Sequence, residues 1–189
     1  MPATAAAAPA LDTQRLTLRG HTLADFAECA AMWADPAVTR HIGGRPLSEE
    51  EVWARVLRYA GLWALLGFGY WVVRERASGR FVGEVGLADF RRDLTPSLGD
   101  DPEVGWVLAT WAHGRGFATE AVRAALAWSD ARHEAARLAD SRVGPGRTIC
   151  LIDPENAASV RVAEKCGFRE AGRATYRGEA TLVFERYGA

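Results

Sequence analysis

Apolar and polar residues follow two different periods along the first third of the chain. From Arg15 to Arg19 they alternate with period two, which predicts a half-buried strand that ends at Gly20. From Thr22 onward the apolar residues recur at helical spacing, and Pro36 ends that segment. The pattern therefore predicts a strand followed by a helix.

A second helix has a clearer beginning. Ser48 and Glu51 form a capping-box pattern, in which each side chain accepts a hydrogen bond from the other residue's backbone N–H. Apolar residues then recur on one face of the predicted helix. They are Val52, Val56, Tyr59 and Trp63.

The rest of the chain switches between strand and helix patterns. Strands are predicted at residues 70–73, 81–87, 103–108, 148–152, 168–176 and 181–187, and helices from about 116 to beyond 131 and from 156 to about 165. Strands alternate with helices only in the second half, which favours a mixed, mostly antiparallel sheet of about seven strands with helices on both faces. The predicted fold class is α/β (α+β), in a single domain over residues 11–189.

Composition narrows the class of protein and its partners. The chain has 189 residues, 49% of them apolar, which is enough for one buried core. Its formal net charge of −1 gives no field that would attract nucleic acid or an anionic membrane, so neither is expected as a partner. Residues 1–10, rich in Ala and Pro, lack the features of a secretory signal, and we expect a disordered tail there.

Two further features favour a soluble, cytoplasmic protein. The most apolar stretch, Ala60 to Val73, is interrupted by glycines and is shorter than the ~20 residues that span a bilayer. Cys29, Cys150 and Cys166 lie in apolar surroundings without the spacing of a metal site or a redox pair. That arrangement is typical of reduced cysteines in a protein core.

A glycine-containing turn separates one predicted strand from the helix that follows. The first N–H groups of a helix lack internal partners and lie at the positive end of its dipole, so they can bind a phosphate if no side chains block the approach. Gly114, Gly116 and Ala118 keep that approach open, and Arg115 adds a positive charge. The turn from His113 to Ala118 therefore predicts a phosphate site, although it matches neither a P-loop nor a dinucleotide fingerprint.

Four separated segments occur in the order that one enzyme family has them. They are Gln14 to Arg19, Glu103 to Trp106, His113 to Ala121, and Asn156 to Phe168. Together they resemble the GNAT N-acetyltransferase superfamily, and in particular the branch that includes the ribosomal-protein N-terminal alanine acetyltransferases. The resemblance covers about residues 11 to 187.

This resemblance implies an acetyl-CoA site in a cleft where the fourth and fifth strands splay apart. The pyrophosphate would lie on the loop from Gly114 to Thr119, and the backbone from Trp106 to Leu108 would pair with the pantetheine arm as an added strand. His113 stands where the family usually has Arg or Gln, which predicts weaker or pH-dependent binding. The residues expected at acetyl-CoA are Trp106, Val107, Leu108, His113, Gly114, Arg115, Gly116, Phe117, Ala118, Thr119 and Asn156.

Acetyl transfer to an amine requires a base, because only the neutral amine is nucleophilic. Glu103 begins the strand beside the expected cleft, shares a face with Gly105 and Val107, and matches a glutamate that resembles the base in this branch. We therefore expect Glu103 to accept the proton, directly or through a water. A glutamate at a strand entry can also be merely solvated, and Glu84 on the preceding strand is the rival base.

The group that protonates the departing thiolate is harder to identify. Members of the superfamily often use a tyrosine on the last helix, but Ala163 stands at that position. The resemblance suggests Ser159 as the hydrogen-bond donor to the thiolate, and Asn156, one turn earlier, as a contact of acetyl-CoA. Both also have structural interpretations, since Asn156 is a natural N-cap and Ser159 lies in a first helical turn.

The sequence says less about metals and about the acceptor. His21, His41 and His133 are scattered and form no ligand pattern, so no metal is expected. The acceptor is a primary amine, either a protein N-terminus or a small molecule. The acidic stretch from Asp89 to Asp101 would suit a cationic amine, although a charged loop is more often just solvated.

Two functions are compatible with these features. The first is an acetyl-CoA-dependent N-acetyltransferase, in which the amine attacks the acetyl group directly in a ternary complex. The second is a catalytically inactive CoA-binding regulatory domain, which would suit His113 and Ala163 because they replace usual residues of the family. The sequence does not define the oligomeric state and leaves a homodimer open.

Overall fold

A computed structural model of the protein describes residues 7–142, 144 and 146–188. Its helices are α1 (Phe26–Trp33), α2 (Pro36–Thr39), α3 (Glu49–Leu66), α4 (Phe117–Ala139) and α5 (Ala157–Lys165). Its strands are β1 (Leu11–Asp12), β2 (Leu16–Arg19), β3 (Tyr70–Glu75), β4 (Phe81–Ala88), β5 (Leu94–Thr95), β6 (Glu103–Leu108), β7 (Arg147–Ile152), β8 (Arg169–Tyr176) and β9 (Glu179–Tyr187).

The strands form one mixed sheet in the order β1-β2-β3-β4-β6-β7-β9-β8-β5. Every neighbouring pair is antiparallel except β6 and β7, which run parallel. The predicted class, a mostly antiparallel mixed sheet with helices, is confirmed. The described residues contain nine strands where about seven were predicted, because β1 and β5 have two residues each and are too short to give a periodic pattern.

Helices cover both faces of the sheet, and the alternation of residues along β6 shows which side is which. Val104 and Leu108 belong to the core cluster that includes Phe117 of α4. Val107, which points to the opposite face, packs in a second cluster with Trp33 of α1 and Val52 of α3. Residues of β6 with odd numbers, including Glu103, therefore face the side that carries α1 and α3.

The beginning of α3 has the predicted capping box. The backbone N–H of Glu51 donates to Ser48 Oγ at 3.3 Å, and the backbone N–H of Ser48 donates to the Glu51 carboxylate at 2.9 Å. The helix ends at Gly67, whose φ of 69° is the left-handed conformation that favours glycine.

A buried cluster of charges joins β2, β3 and the segment before α1. Asp25 is 1% exposed and accepts hydrogen bonds from Arg19, Arg74 and Thr22. Burial opposes ionisation of this carboxyl, but the bonds from the two arginines and from Thr22 outweigh burial and hold the pKa of Asp25 well below its usual range. The cluster is therefore ionised at neutral pH.

The described chain is already fixed to the sheet before β1. The indole N–H of Trp71 donates to the Pro9 carbonyl at 2.8 Å, and Ala8 packs against the core. Residues 1–6 of the expected tail lie outside the described residues. The domain boundary at residue 11 stays a prediction.

Two expectations about the core and about membrane segments can be compared with the structure. Cys29, Cys150 and Cys166 are free and buried, as their apolar surroundings indicated. Among the helices of the described residues, none has the combination of length and apolar composition that crossing a bilayer requires.

Candidate active site

The sheet opens between its two parallel strands. β6 and β7 pair at a single position, Glu103 with Ile149, where the Ile149 N–H donates to the Pro102 carbonyl at 3.0 Å. From Val104 onward β6 keeps its pairing with β4 but has no further partner in β7. β6 and β7 correspond to the fourth and fifth predicted strands, at residues 103–108 and 148–152. The predicted splay between them is confirmed, and it leaves one edge of β6 open.

A cavity of about 150 Å³ lies at this opening. Its walls come from β6, from the end of β7 and the start of α5, and from α1 and α3. The fold brings together at it five of the residues expected at the site, namely Glu103, Trp106, Val107, Asn156 and Ser159. Leu108, the last residue of β6, and the loop 113–119 after this strand do not line the cavity.

The glycine loop after β6 has the conformation that an open helix start requires. Gly114 and Gly116 have φ of 73° and 80°, and Gly116 is the N-cap of α4. A Cβ at Gly114 would meet nothing within 4 Å. The side chain of Phe117 is buried, so only its backbone is available at the loop. Unpaired first-turn N–H groups of α4 therefore face an uncrowded approach.

Two arginines lie at this loop, each with a carboxylate partner, and the histidine has a local role. Arg15 pairs with Glu120, in the first turn of α4, at 2.7 Å and donates to the backbone carbonyl of Arg115 at 3.0 Å. Arg115 is about half exposed and pairs loosely with Glu75 at 3.7 Å. The Nε2 of His113 hydrogen-bonds the carbonyl of Leu108 at 2.9 Å, so this ring ties the loop to the end of β6.

Glu103 is held in a fork by an arginine that sequence reasoning missed. Arg92 Nε donates to Glu103 Oε2 at 2.6 Å, and Arg92 Nη2 donates to Oε1 at 2.8 Å. Burial lowers the pKa of Arg92, but its hydrogen bonds to Glu103 raise that pKa by a larger amount, so the guanidinium stays charged. The Glu103 side chain is 12% exposed and lines the cavity.

Glu84, the rival base, lies deeper. It is 0% exposed, and its two oxygens accept bonds from His21 Nε2 at 2.9 Å and from Trp33 Nε1 at 2.8 Å. The ligating atoms of His21, Cys29 and Glu84 lie within 4.8 Å of one another, a grouping that the scattered sequence positions did not indicate. Hydrogen bonds account for the position of Glu84, and the absence of a metal stays a prediction.

Asn156 and Ser159 have the structural roles considered for them, and both also lie at the cavity. Asn156 Oδ1 accepts from the Ser159 backbone N–H at 3.0 Å, which makes Asn156 the N-cap of α5. Both residues also line the cavity. Ala163, where a tyrosine was expected from the resemblance, is 0% exposed in the core and has no group that can donate a proton.

Aromatic rings and an arginine form another part of the cavity wall. Tyr59 and Tyr70 stack with ring centroids 4.3 Å apart, and burial raises the pKa of both hydroxyls, so they stay protonated. Gly105 has no side chain because a Cβ there would overlap the Tyr70 hydroxyl. Arg55 donates to the Tyr59 hydroxyl at 3.2 Å and stacks 4.0 Å from the Trp33 ring.

A histidine and an aspartate form a hydrogen-bonded pair at the cavity. His41 Nδ1 lies 2.9 Å from Asp153 Oδ2, and both residues line the cavity. Burial raises the pKa of Asp153, but bonds from the Glu155 N–H and from His41 lower it more, so Asp153 is ionised. These two residues are 112 positions apart, and no local pattern in the sequence links them.

Two aspartates of the acidic stretch after β4 have close arginine partners. Asp89 pairs with Arg91 at 2.8 Å, and Asp101 pairs with Arg147 at 2.7 Å. Asp100 lies 3.5 Å from Arg91, and both of those side chains are largely exposed. The pairs of Asp89 and Asp101 weigh against a site for a cationic amine built on these two carboxylates.

The sequence was compared with models of protein families and with solved structures. The family model described as an acetyltransferase (GNAT) domain matches residues 15–169. A structure from Bordetella pertussis with a GnaT-family acetyltransferase description is 32% identical, with 94% of this chain and 99% of that chain covered and a TM-score of 0.75.

Two more distant relatives extend the comparison. The spermidine N-acetyltransferase from Vibrio cholerae, solved in complex with CoA and spermine, is 18% identical over 93% of this chain and 97% of its own, with a TM-score of 0.66. At that identity the likeness shows the fold alone. The Bacillus subtilis protein YkkB is 28% identical over 120 residues, which span 64% of this chain and 62% of that relative.

Proposed function

The chain belongs to the GNAT acetyltransferase family, and on that premise we propose that it transfers the acetyl group of acetyl-CoA to a primary amine by direct attack in a ternary complex. The observation that carries the proposal is the cavity at the opening between β6 and β7, where Glu103, Asn156 and Ser159 meet. The glycine loop follows the open edge of β6 after one short 3-10 turn, Thr110–Ala112. An elongated thioester substrate needs both features in this order.

The residues present fit acetyl-CoA. Trp106, Val107 and Leu108 lie where β6 has no partner on its β7 side, so their backbone groups are available to pair with the amides of a pantetheine arm. The loop from His113 to Thr119 would hold the pyrophosphate through the first N–H groups of α4, with Arg115 beside it. Asn156 would contact the same substrate from the start of α5.

We propose Glu103 as the group that takes the proton from the acceptor amine, through a water. It lines the cavity, whereas Glu84 is 0% exposed and does not line it. Arg92 acts as a positioning residue, because its fork fixes the orientation of the Glu103 carboxylate. Each carboxylate oxygen retains lone pairs that can accept from a water.

Ser159 would donate a hydrogen bond to the thiolate as it leaves. Its hydroxyl belongs to a cavity-lining residue, and its backbone is fixed by the Asn156 cap. A serine hydroxyl is a poor acid, so its role is to stabilise the negative charge of the thiolate by a hydrogen bond and not to transfer a proton to it. Backbone N–H groups along the open edge of β6 would donate to the acyl oxygen as negative charge develops there.

Thiol release with a panel of acceptors tests the proposal. The purified chain is mixed with acetyl-CoA, a thiol-detecting dye, and small amines and N-terminal peptides. Acceptor-dependent release supports acetyl transfer. Tight binding of acetyl-CoA without release on any acceptor would favour the alternative, a CoA-binding regulatory domain without turnover.

A charge placed in the glycine loop should weaken acetyl-CoA binding. Gly114→Asp is expected to raise the KM for acetyl-CoA on the order of tenfold, because a carboxylate beside the pyrophosphate is repelled at short range. Steric effects should be small, since nothing lies within 4 Å of a Cβ at this position and Asp tolerates its positive φ of 73°.

Gly114→Asn is the matched control, because it has the same shape without the charge and should change the KM for acetyl-CoA less than about threefold. Initial rates at two salt concentrations measure both variants. Equal effects of Asp and Asn, or an effect insensitive to salt, would show that this loop does not hold the pyrophosphate.

A further inference from the structure

Arg55, on the cavity wall, has an unusual lack of partners. Within the described part of the chain, its Nε is the one buried side-chain nitrogen or oxygen without a hydrogen-bond partner. Of its five N–H groups, only one, on Nη1, is accepted by a described residue, at the Tyr59 hydroxyl. Buried polar groups are nearly always paired, so this arginine calls for an explanation.

Packing alone does not explain Arg55. The stack on Trp33 stabilises a cation, but it leaves the N–H groups without acceptors. No described carboxylate lies within ion-pair distance of Arg55; Glu84 is near enough to act on it electrostatically, yet bonds His21 and Trp33 instead. Burial lowers the pKa of Arg55, but Tyr59 and Glu84 raise it by more, so the guanidinium stays charged while most of its N–H groups have no acceptor among the described residues.

The charges around Arg55 make this wall positive. Burial lowers the pKa of Arg58, one turn further along α3, and the nearby positive charges of Arg55 and Arg92 lower it as well. The three guanidinium groups are therefore close enough to repel one another. The carboxylates at the cavity, Glu103 and Asp153, each have a basic partner already. An incoming anion would therefore find a complementary surface, and a polycation would not.

We infer that Arg55 binds a carboxylate of the acceptor, so that the acceptor is a small amine that also carries a carboxylate, as an amino acid does. The inference rests on the proposed function. A planar guanidinium with free N–H groups matches a carboxylate in a two-point contact, and the cavity of about 150 Å³ is on a small-molecule scale. Aromatic rings of Trp33 and Tyr70 add apolar surface to the same cavity.

Matched pairs of acceptors test this inference. Each pair is an amino acid and the same molecule without its carboxylate: phenylalanine with phenethylamine, leucine with isoamylamine, and serine with ethanolamine, with spermidine added as a polycation. The measured quantity is kcat/KM for each acceptor in the thiol-release assay at saturating acetyl-CoA. Wild type should prefer the amino acid of at least one pair by about 30-fold or more.

The variant Arg55→Gln should lose that preference, while its kcat/KM for the decarboxylated partners and its KM for acetyl-CoA stay within about threefold of wild type. The ratio of kcat/KM for the amino acid to kcat/KM for its decarboxylated partner is compared between wild type and variant. This comparison cancels the difference in basicity between the two amines of a pair. Arg55→Lys keeps the charge and most of the volume but not the fork, and should retain only part of the preference. This second variant also serves if glutamine prevents folding.

Arg58→Gln is the control variant, because it removes the same charge from the same helix at a residue that does not line the cavity. It should change the preference less than about threefold. A preference that is absent in wild type, or unchanged in Arg55→Gln, would overturn the role of Arg55 and leave acetyl transfer standing. The role of Arg55 would also be overturned if Arg55→Gln raised the KM for acetyl-CoA as much as it lowered the preference for amino acids. That result would assign Arg55 to acetyl-CoA.

Calorimetry separates failure of this inference from failure of the proposed function. N-acetylphenylalanine and N-acetylphenethylamine are titrated into the CoA-saturated protein, which requires no turnover. If no amine gives thiol release, acetyl transfer is wrong. Binding of N-acetylphenylalanine by wild type but not by Arg55→Gln would still support the carboxylate site, and equal binding by both proteins would refute it.

Discussion

Replacement of Glu103 by glutamine should lower kcat at neutral pH on the order of 100- to 10,000-fold, with the KM for acetyl-CoA nearly unchanged. The carboxylate lines the cavity beside the unpaired edge of β6, and its fork with Arg92 holds it in one orientation. Glutamine keeps the shape but cannot take a proton. The loss should therefore fall on turnover and not on binding of acetyl-CoA, and initial rates at saturating acetyl-CoA measure it.

Glu185→Gln is the matched control for this substitution. Glu185 also pairs with an arginine on the same sheet, Arg147 at 2.9 Å, but it does not line the cavity. Its replacement should leave kcat within about twofold, so any general effect of breaking an arginine pair is subtracted. Melting temperatures of both variants show whether the fold is kept.

The dependence of rate on pH decides whether Glu103 is the base. If it is, the acidic limb of the kcat/KM profile should disappear in Glu103→Gln. An unchanged profile would remove Glu103 from this role. The next titratable group of the cavity to replace would then be His41, which pairs with Asp153.

The features predicted correctly from the sequence depend on local pattern. Alternation along β6 puts Glu103 and Val107 on one face, and Ser48 with Glu51 marks the start of α3, because both signals involve residues a few positions apart. The open edge of β6 followed from a resemblance to a family and not from the pattern itself, since a parallel strand pair and an open one have the same periodicity.

The features that were missed depend on contacts between distant residues. Arg92 lies in a polar loop, eleven positions before the carboxylate that it holds, and nothing in that loop distinguishes it from the neighbouring arginine. Arg55 lies in α3, where the spacing of apolar residues predicts the helix without any role for the arginine. Its stack on Trp33 could therefore not be predicted from the sequence. The aspartates after β4 suggested a cation site until their arginine partners were known.

Asn156 shows why local signals alone do not decide function. The same side chain caps α5 and lines the cavity, so the capping role is observed and the contact with acetyl-CoA stays a proposal. The cap fixes the backbone that presents Ser159 to the cavity, so the structural role would serve the proposed one.

Replacement of Asp25 by asparagine should lower the free energy of unfolding by about 3 kcal/mol. Asp25 is 1% exposed, and its loss leaves Arg19 and Arg74 without the carboxylate that both of them bond. Urea unfolding at neutral pH measures the change. Glu28→Gln is the matched control, since Glu28 pairs with the same Arg74 from a side chain that is 43% exposed, and its loss should cost less than about 1 kcal/mol.

The pH dependence of this difference has a definite sign. Hydrogen bonds hold the pKa of folded Asp25 well below its usual range, whereas in the unfolded chain it returns to about 3.9. The stabilisation by Asp25 is therefore complete above about pH 5 and declines as the pH falls below about 4, because the unfolded state then binds a proton that the folded state does not. The gap between wild type and Asp25→Asn should shrink over that acid range and stay constant between pH 5 and 7. A gap that remains the same at pH 3 as at pH 7 would mean that the charge of Asp25 does not stabilise the fold.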